Sequence, residues 1–498
     1  MRAVSMRLPY WDKLPNNFPY ISSYITIPRL RKLDLFLLPS FITQNGAYSD
    51  GEKKKVIIKR DTDYLDGLRG VAALIVVFQH LIQVPYPAFV NGRHLIQVPY
   101  PVYGNGFAST DENWHFMQLP FLRLTYTGGP MVAIFFVISG FALSSKGIQL
   151  IRSQSPSLFR VLASTTFRRG VRLWLPSIAV SFIGFLLQRM GLLVDDPAHL
   201  ADTTFSEEVK SFIAYLNGLV NVYTWKRFRG FYNKPLWTIP MEFRCSMVIF
   251  LCLLGLSRTK TMVRIGIELL IIVHASYNDR WDVIPFIGGL LIAEQHWYRK
   301  EEAASSNVLL ADASHNSTPE QPSQTRRMKM FYYMVLVLGL FISSFPKHKG
   351  CQTPGYEWFC KIDNHQPMTE KWRYTSAYGA FLIVISISNL PAVQSIFTTS
   401  LASYLGKISF AFYLVHGLVL RALIGPMMAD MLVATVDGPE IYFHGVVVLN
   451  GALLLLIAIP VADLVWRTVD IPSVELAKWL EKKCAYEEKP VSNKKGFD

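Results

Sequence analysis

Arg69 and His80, eleven positions apart in one apolar run, are the first residues whose types and spacing suggest chemistry. At 100° per residue, eleven steps end about 20° past three full turns, so on a helix the two share a face with a rise of about 16 Å. An ionisable side chain inside a membrane helix costs at least about 2.5 kcal/mol, so by default it faces the bundle interior and has a function. If the run crosses a bilayer outward, Arg69 lies at the inner surface and His80 beyond the midplane. An Arg at the interface holds phosphate or carboxylate bidentately, and a buried His moves protons. The same arithmetic puts Glu242 and Arg244 about 9 to 12 Å below the outer surface, near the level of His80. Ser139 falls at a comparable depth and His416 nearer the midplane. A His with a carboxylate, an Arg and a hydroxyl at one depth is the material of a general base with orienting and charge-stabilising partners. A Ser–His nucleophile stays open, but no G-x-S-x-G elbow is present, and transfer aided by a base is simpler.

Each of these residues also has a structural use. Arg69, Arg168, Arg169 and Arg172 can act as topology determinants at helix ends. His80 and His416 can serve as interhelical hydrogen bonders, and Glu242 and Arg244 can neutralise each other. Ser139, next to Gly140, can be a small packing residue. His94 sits in a polar stretch and reads as solvated. Trp174, Trp237 and Trp281 read as interface anchors.

The elements that position these residues follow from composition. Of 498 residues, 51% are apolar and 17% charged, and the mean hydropathy is +0.25. Soluble domains carry about 25% charged residues, which argues against an ordinary cytosolic enzyme. The net charge of +14 is spread through the gaps between apolar runs, so it reads as cytoplasmic loops and implies no nucleic acid. Five cysteines without zinc spacing suggest neither a disulfide scaffold nor a metal site. A spanning helix needs about 20 mostly apolar residues. About ten such segments occur, near 68–84, 130–145, 173–190, 236–256, 261–278, 281–297, 330–345, 373–394, 405–427 and 443–466, and a weaker stretch at 208–223 looks interfacial. The expected fold is all-α, a polytopic membrane bundle with both termini cytoplasmic.

The loops mostly agree with that threading. Residues 146–172, 257–264 and 298–329 are basic and fall inside, whereas 428–442 holds Asp430, Asp437 and Glu440 without Lys or Arg and falls outside. Loops 191–235 and 346–372 fall outside despite several basic residues, so the positive-inside rule acts as a bias. Cys351 and Cys360 bracket one outer loop, and their pairing depends on whether that side is oxidising. The domains read as a cytoplasmic segment 1–63, a membrane domain 64–481 with a polar, linker-like insert 301–325, and a tail 482–498. No cleavable signal opens the chain. The sequon at Asn316 would face the cytoplasm and stay unmodified. HLIQVPYP occurs at 80–87 and again at 94–101, a local duplication that lengthens the first outer loop.

Taken in order, the motifs resemble acyltransferase family 3, the polytopic membrane O-acyltransferases, in its fungal form. YLDGLRGVAALIVVFQH (64–80) matches the opening motif, with ten residues between its Arg and its His. FFVISGFALS (135–144), RRGVRLWLP (168–176), LWTIPMEFRCSMVIF (236–250), ISFAFYLVHG (408–417) and WRTVDIPSVELAKWLE (466–481) follow. The resemblance implies transfer of a short acyl group, often acetyl, from acyl-CoA as co-substrate, with no resident cofactor, to a hydroxylated small molecule or sugar. It implies His80 as base, with Glu242 and Arg69 beside it in the catalytic set and Glu242 orienting His80 or the acceptor. Arg69, Arg168, Arg169 and Arg172, all on the cytoplasmic side by their depth, would meet the CoA end. Ser139 would line the thioester channel, and Trp237, Arg244, Tyr413 and His416 are the remaining substrate-binding candidates. The lipid bilayer is the expected setting, an intracellular membrane such as the endoplasmic reticulum the expected location, and secondary metabolism the expected context.

A different class of reading is a secondary transporter in which His80, Glu242 and Arg244 form a relay. Such carriers usually show paired repeats with broken helices, and no matching pair is visible here.

Overall fold

The computed structural model describes residue 40 and residues 60–83, 88–90, 93–95, 104–111, 113–193, 204–313, 325–362, 370–433 and 440–485. The chain divides after Lys55, and every described residue except Ser40 belongs to the second unit, Val56–Asp498. That unit is built from helices: α1 (Asp63–Gln83), α2 (Gly128–Arg152), α3 (Leu158–Arg189), α4 (Phe205–Val220), α5 (Thr238–Gly255), α6 (Thr261–Tyr277), α7 (Val283–Ala313), α8 (Arg326–Ser343), α9 (Glu357–Ile362), α10 (Lys371–Ile387), α11 (Pro391–Phe397), α12 (Ser400–Val419), α13 (Gly425–Val433), α14 (Glu440–Val465) and α15 (Ile471–Cys484). Strands β1 (Ala88–Val90) and β2 (Arg93–Leu95) form a short antiparallel hairpin after α1.

All ten expected spans coincide with helices. Among the described residues, six helices are long and apolar enough to cross a membrane, or seven crossings if α10 and α11, bent by 105°, are one broken span. The other three fall short for readable reasons. Helix α6 has only 17 residues. The first eighteen residues of α7 include Glu294, Arg299 and Lys300, and α8 opens on Arg326, Arg327 and Lys329.

Two expectations about loops are corrected. Residues 146–172 are mostly helical, because α2 runs to Arg152 and α3 starts at Leu158, so Arg168, Arg169 and Arg172 sit on one continuous helix. Once outside the bilayer a helix does not need apolar residues, and 158–172 contains no breaker beyond Gly170. The insert 301–325 is likewise helical as far as Ala313, since Glu301, Glu302, Ala303 and Ala304 are good helix formers continuing α7. Asn316, the second HLIQVPYP beyond Leu95, and segment 1–63 up to residue 59 apart from Ser40 lie outside the described residues. The stretch near 208–223 is helix α4, started by a capping box between Thr204 and Glu207.

Lipid is as apolar as a leucine side chain, so burying apolar surface does little to hold membrane helices together, and close packing over small residues must do it instead. Helix α1 is the central element and contributes Leu65, Leu68 and Val76 to one apolar cluster and Ala73, Val77 and Leu81 to the other. It runs parallel to α12 in backbone contact. A Cβ at Gly70 would stand 2.5 Å from the Gly406 amide nitrogen, and one at Gly406 would stand 2.2 Å from the Asp66 carbonyl oxygen. Helices α2 and α7 meet in the same way, where a Cβ at Gly140 would lie 2.1 Å from the Phe286 carbonyl.

Buried charges are paired across helices on the side holding the α2 and α7 charges. Arg264 and Glu294 contact each other at 2% exposure on both sides, and Arg152 bridges Glu294 at 3.2 Å and Glu301 at 2.5 Å. At the opposite ends of these helices Cys351 and Cys360 form a disulfide, while Cys245 and Cys252 are buried free thiols.

Two tests follow from this packing. Gly406→Val must push α12 off α1 and should cost about 1–3 kcal/mol, read as a lower melting temperature in detergent, with Ser409→Ala on the same helix as the comparison. Reducing the disulfide, or Cys351→Ser, releases a short loop and should cost about 2–3 kcal/mol on the same assay.

Candidate active site

The α1–α12 contact continues along both helices from Gly70 and Gly406 to the two histidines. His80 and His416 lie ten residues beyond those glycines, and their rings are 5.1 Å apart and tilted by 42°. Arg69 faces the same partner, donating to the Gly406 carbonyl at 3.0 Å and pairing with Asp66 at 3.3 Å. The helical arithmetic that set Arg69 and His80 on one face therefore matches the structure, and the face is the one turned to α12.

His416 is fully buried. Its Nδ1 lies 3.2 Å from the Phe412 carbonyl, which only accepts, so Nδ1 carries the hydrogen. That leaves Nε2 of the neutral ring as a lone pair, and Nε2 has no partner. The Tyr413 ring lies 5.8 Å from the His416 ring. Tyr413 donates its phenolic hydrogen to the Pro235 carbonyl, so Thr238, 2.7 Å from the phenolic oxygen, donates to it. Helix α12 is thus tied to the start of α5. At its C-terminal end, a single π turn at Leu420–Ile424 turns Arg421 onto the carbonyls of Phe231 and Tyr232.

Glu242 does not touch His80. The Arg169 guanidinium takes its carboxylate at 2.6 Å and reaches Ser246 Oγ at 3.0 Å, while Ser139 Oγ stands 3.4 Å from the same carboxylate oxygen. Arg169 is nearly buried and already engaged, which separates it from its neighbours on α3. Arg168 pairs with Glu481 of α15 at 3.2 Å. Arg172 lies within electrostatic reach of Arg169, Asp470, Arg168 and Arg69. Arg69, Arg168 and Arg172 therefore share one end of the bundle with Asp470 and Glu481.

Glu242 and Arg244 do not neutralise each other, because residues two apart point to opposite sides of a helix. Arg244 is buried, donates to the Thr224 carbonyl and stacks its guanidinium 5.1 Å from the Trp225 ring. Trp237 is more than an interface anchor: Arg227 stands 4.4 Å and Arg373 5.3 Å over its ring, and Trp281 is 6.3 Å away. Arg227, Arg373, Thr238 and Ser246 escaped the sequence reading. Thr238 and Ser246 flank Glu242 at one helical turn on either side and were legible as its neighbours, whereas Arg227 and Arg373 come from segments far apart in sequence.

The acyltransferase-domain family pattern matches residues 62–467. The O-acetyltransferase PaAT-1 of Phomopsis amygdali is 28% identical over 455 residues, covering 84% of each chain. The acyltransferase clz18 of Cochliobolus lunatus is 27% identical and acyltransferase R4 of a Phoma species 26%, each over 71% of this chain and 82% of the relative. No solved structure matches. A family match across more than four-fifths of the chain, including both histidines, Glu242 and the basic residues of α3, makes this protein a membrane acyltransferase of acyltransferase family 3.

Proposed function

We propose that the protein transfers a short acyl group, acetyl in the simplest case, from acyl-CoA to a hydroxyl of a small natural product or sugar, with His80 as general base. The observation that carries this reading is the row of polar groups on the α1–α12 seam: Arg69 near one end, the His80–His416 pair farther along. Arg69, Arg168 and Arg172 are suited to the phosphates of CoA, since guanidinium groups bind such anions in bidentate fashion. The pantetheine arm would then follow α1 toward His80.

In the chemical step His80 accepts the proton of the acceptor hydroxyl while its oxygen attacks the thioester carbonyl. The C–S bond breaks, and the CoA sulfur takes the proton back from His80. His416 supports His80 as its ring neighbour, and the Arg169–Glu242–Ser139 set supplies fixed polarity beside the channel. Both termini are read as cytoplasmic, which puts the Cys351–Cys360 loop in an oxidising lumen and favours an intracellular membrane such as the endoplasmic reticulum. The carrier alternative loses its support because Glu242 and Arg244 face different neighbours and form no relay with His80.

Two measurements test this. Purified full-length protein given acetyl-CoA and a panel of hydroxylated acceptors should release free CoA, and His80→Ala should lower the rate about 10²–10⁴-fold while the melting temperature holds. Survival of turnover in that variant would move the base elsewhere, His416 first. Arg168→Gln and Arg172→Gln should raise KM for acetyl-CoA about tenfold each and reduce the melting-temperature rise that acetyl-CoA produces, leaving KM for the acceptor unchanged.

A further inference from the structure

Three cations from three separate segments gather at the end of the bundle that carries the disulfide loop. They are joined through two indole rings. Arg227 and Arg373 share Trp237, at 4.4 and 5.3 Å, and Arg373 and Lys347 share Trp372, at 4.6 and 5.9 Å. Lys347 and Trp372 line a cavity of about 430 Å³, Arg227 and Arg373 line one of about 210 Å³, and Glu370 lines both. The acids nearby are already engaged. Glu370 pairs with Arg373, Asp282 lies 3.4 Å from Arg280, and Asp279 accepts a hydrogen bond from Tyr374 at 2.6 Å.

Among the described residues, neither Arg227 nor Lys347 has a carboxylate partner, although both are exposed at the cavity mouths. Partial desolvation lowers the Lys347 ammonium from its ordinary value, and the fields of Arg227 and Arg373 act in the same direction. Uncompensated like charges held this close repel one another, an arrangement that costs free energy unless an anion joins them. The cluster is also within electrostatic reach of the α1–α12 seam. The Lys347 charge reaches His80, and that of Arg227 reaches Tyr413.

We infer that this cluster binds the acceptor and that the acceptor is a hydroxylated carboxylate, its carboxyl group held by Arg227 and Lys347 and its carbon skeleton against Trp237 and Trp372. The identification of the ligand as acceptor rests on the acyltransfer reading; the anion site itself does not. Donor and acceptor then reach His80 from opposite ends of the bundle. The carboxylate fixes which hydroxyl of a polyhydroxylated molecule arrives at the base.

The test is a binding measurement on the full chain in nanodiscs, reading tryptophan fluorescence during titration with shikimate, methyl shikimate and glucose 6-phosphate. Shikimate should change the signal saturably and bind about tenfold more tightly than its ester, and Arg227→Gln and Lys347→Gln should each remove that difference. Arg227→Lys should keep part of it, and circular dichroism shows whether each variant is folded. Equal binding of acid and ester, wild-type preference in both Gln variants, or no saturation by shikimate would overturn the inference. Tighter binding of glucose 6-phosphate through the same two residues would replace the carboxylate by a phosphate. If acid binding fails while acetyl-CoA still raises the melting temperature and CoA is released on the acceptor panel, the carboxylate site falls and acyltransfer stands. If acid binding holds and no acceptor releases CoA, the reverse is true.

Discussion

Everything placed around His80 depends on the absence of three side chains. Gly70 and Gly406 let α1 and α12 touch through their backbones, and Gly67 does the same for α1 and the end of α11, where a Cβ would fall 1.8 Å from the Phe397 carbonyl. Inside a bilayer no hydrophobic gain compensates for a looser fit, so the closeness of this seam sets the spacing of all that lies along it. Two parallel helices that start in contact at 70 and 406 rise together, and after ten residues, about 15 Å, they are still near enough for His80 and His416 to pair rings. Arg69 spends part of its guanidinium on the Gly406 carbonyl. The same glycine that allows close approach therefore also fixes the Arg69 guanidinium at the start of the seam.

The surrounding charges divide into those that are settled and those that are available. Arg264 with Glu294, Arg467 with Asp463 at 2.8 Å, and Arg169 with Glu242 are buried or nearly buried pairs. Removing one partner from such a pair leaves an uncompensated charge at a cost of about 3–5 kcal/mol, which ties these residues to the fold whatever else they do. Arg69 and Arg172 are different. Arg69 shares only a half-exposed carboxylate, and its Nε is buried without a partner. Free hydrogen-bonding capacity on cations at a helix seam is what binding an anionic co-substrate requires, and a saturated bridge lacks it.

The sequence was most informative where geometry is local. Periodicity along a single helix set Arg69 and His80 on one face, and both do face α12. The all-helical class, the membrane setting and the family were legible because twenty-residue apolar runs and ordered motifs need no tertiary information. Depth along separate helices was less reliable. It put Glu242 level with His80, but equal depth does not specify azimuth, and Glu242 turns toward α3, where Arg169 waits. The pairing of Cys351 with Cys360 stayed open in the sequence because it depends on whether the loop faces an oxidising compartment. The Arg227, Lys347 and Arg373 cluster was invisible for a stronger reason: its members come from three segments joined only through Trp237 and Trp372, and no window along the chain contains them together.

The two tryptophans also explain why such a cluster can exist at all. Three cations around two adjoining cavities repel each other, and Arg373, at 4% exposure, has lost most of its hydration. Ring faces carry negative electrostatic potential, so an indole between two guanidinium groups offsets part of that repulsion without introducing a charge of its own. A carboxylate in the same place would neutralise the cluster permanently and close it to an outside anion. Aromatic support leaves the positive potential standing at the mouth while the fold tolerates it, and Glu370 offsets the most buried of the three. The arrangement keeps positive charge exposed where a site for an anion needs it, at the opposite end of the seam from Arg69 and Arg172. In the proposed reading, each reactant brings its own negative group to its own end, and the neutral reacting atoms meet between them at His80.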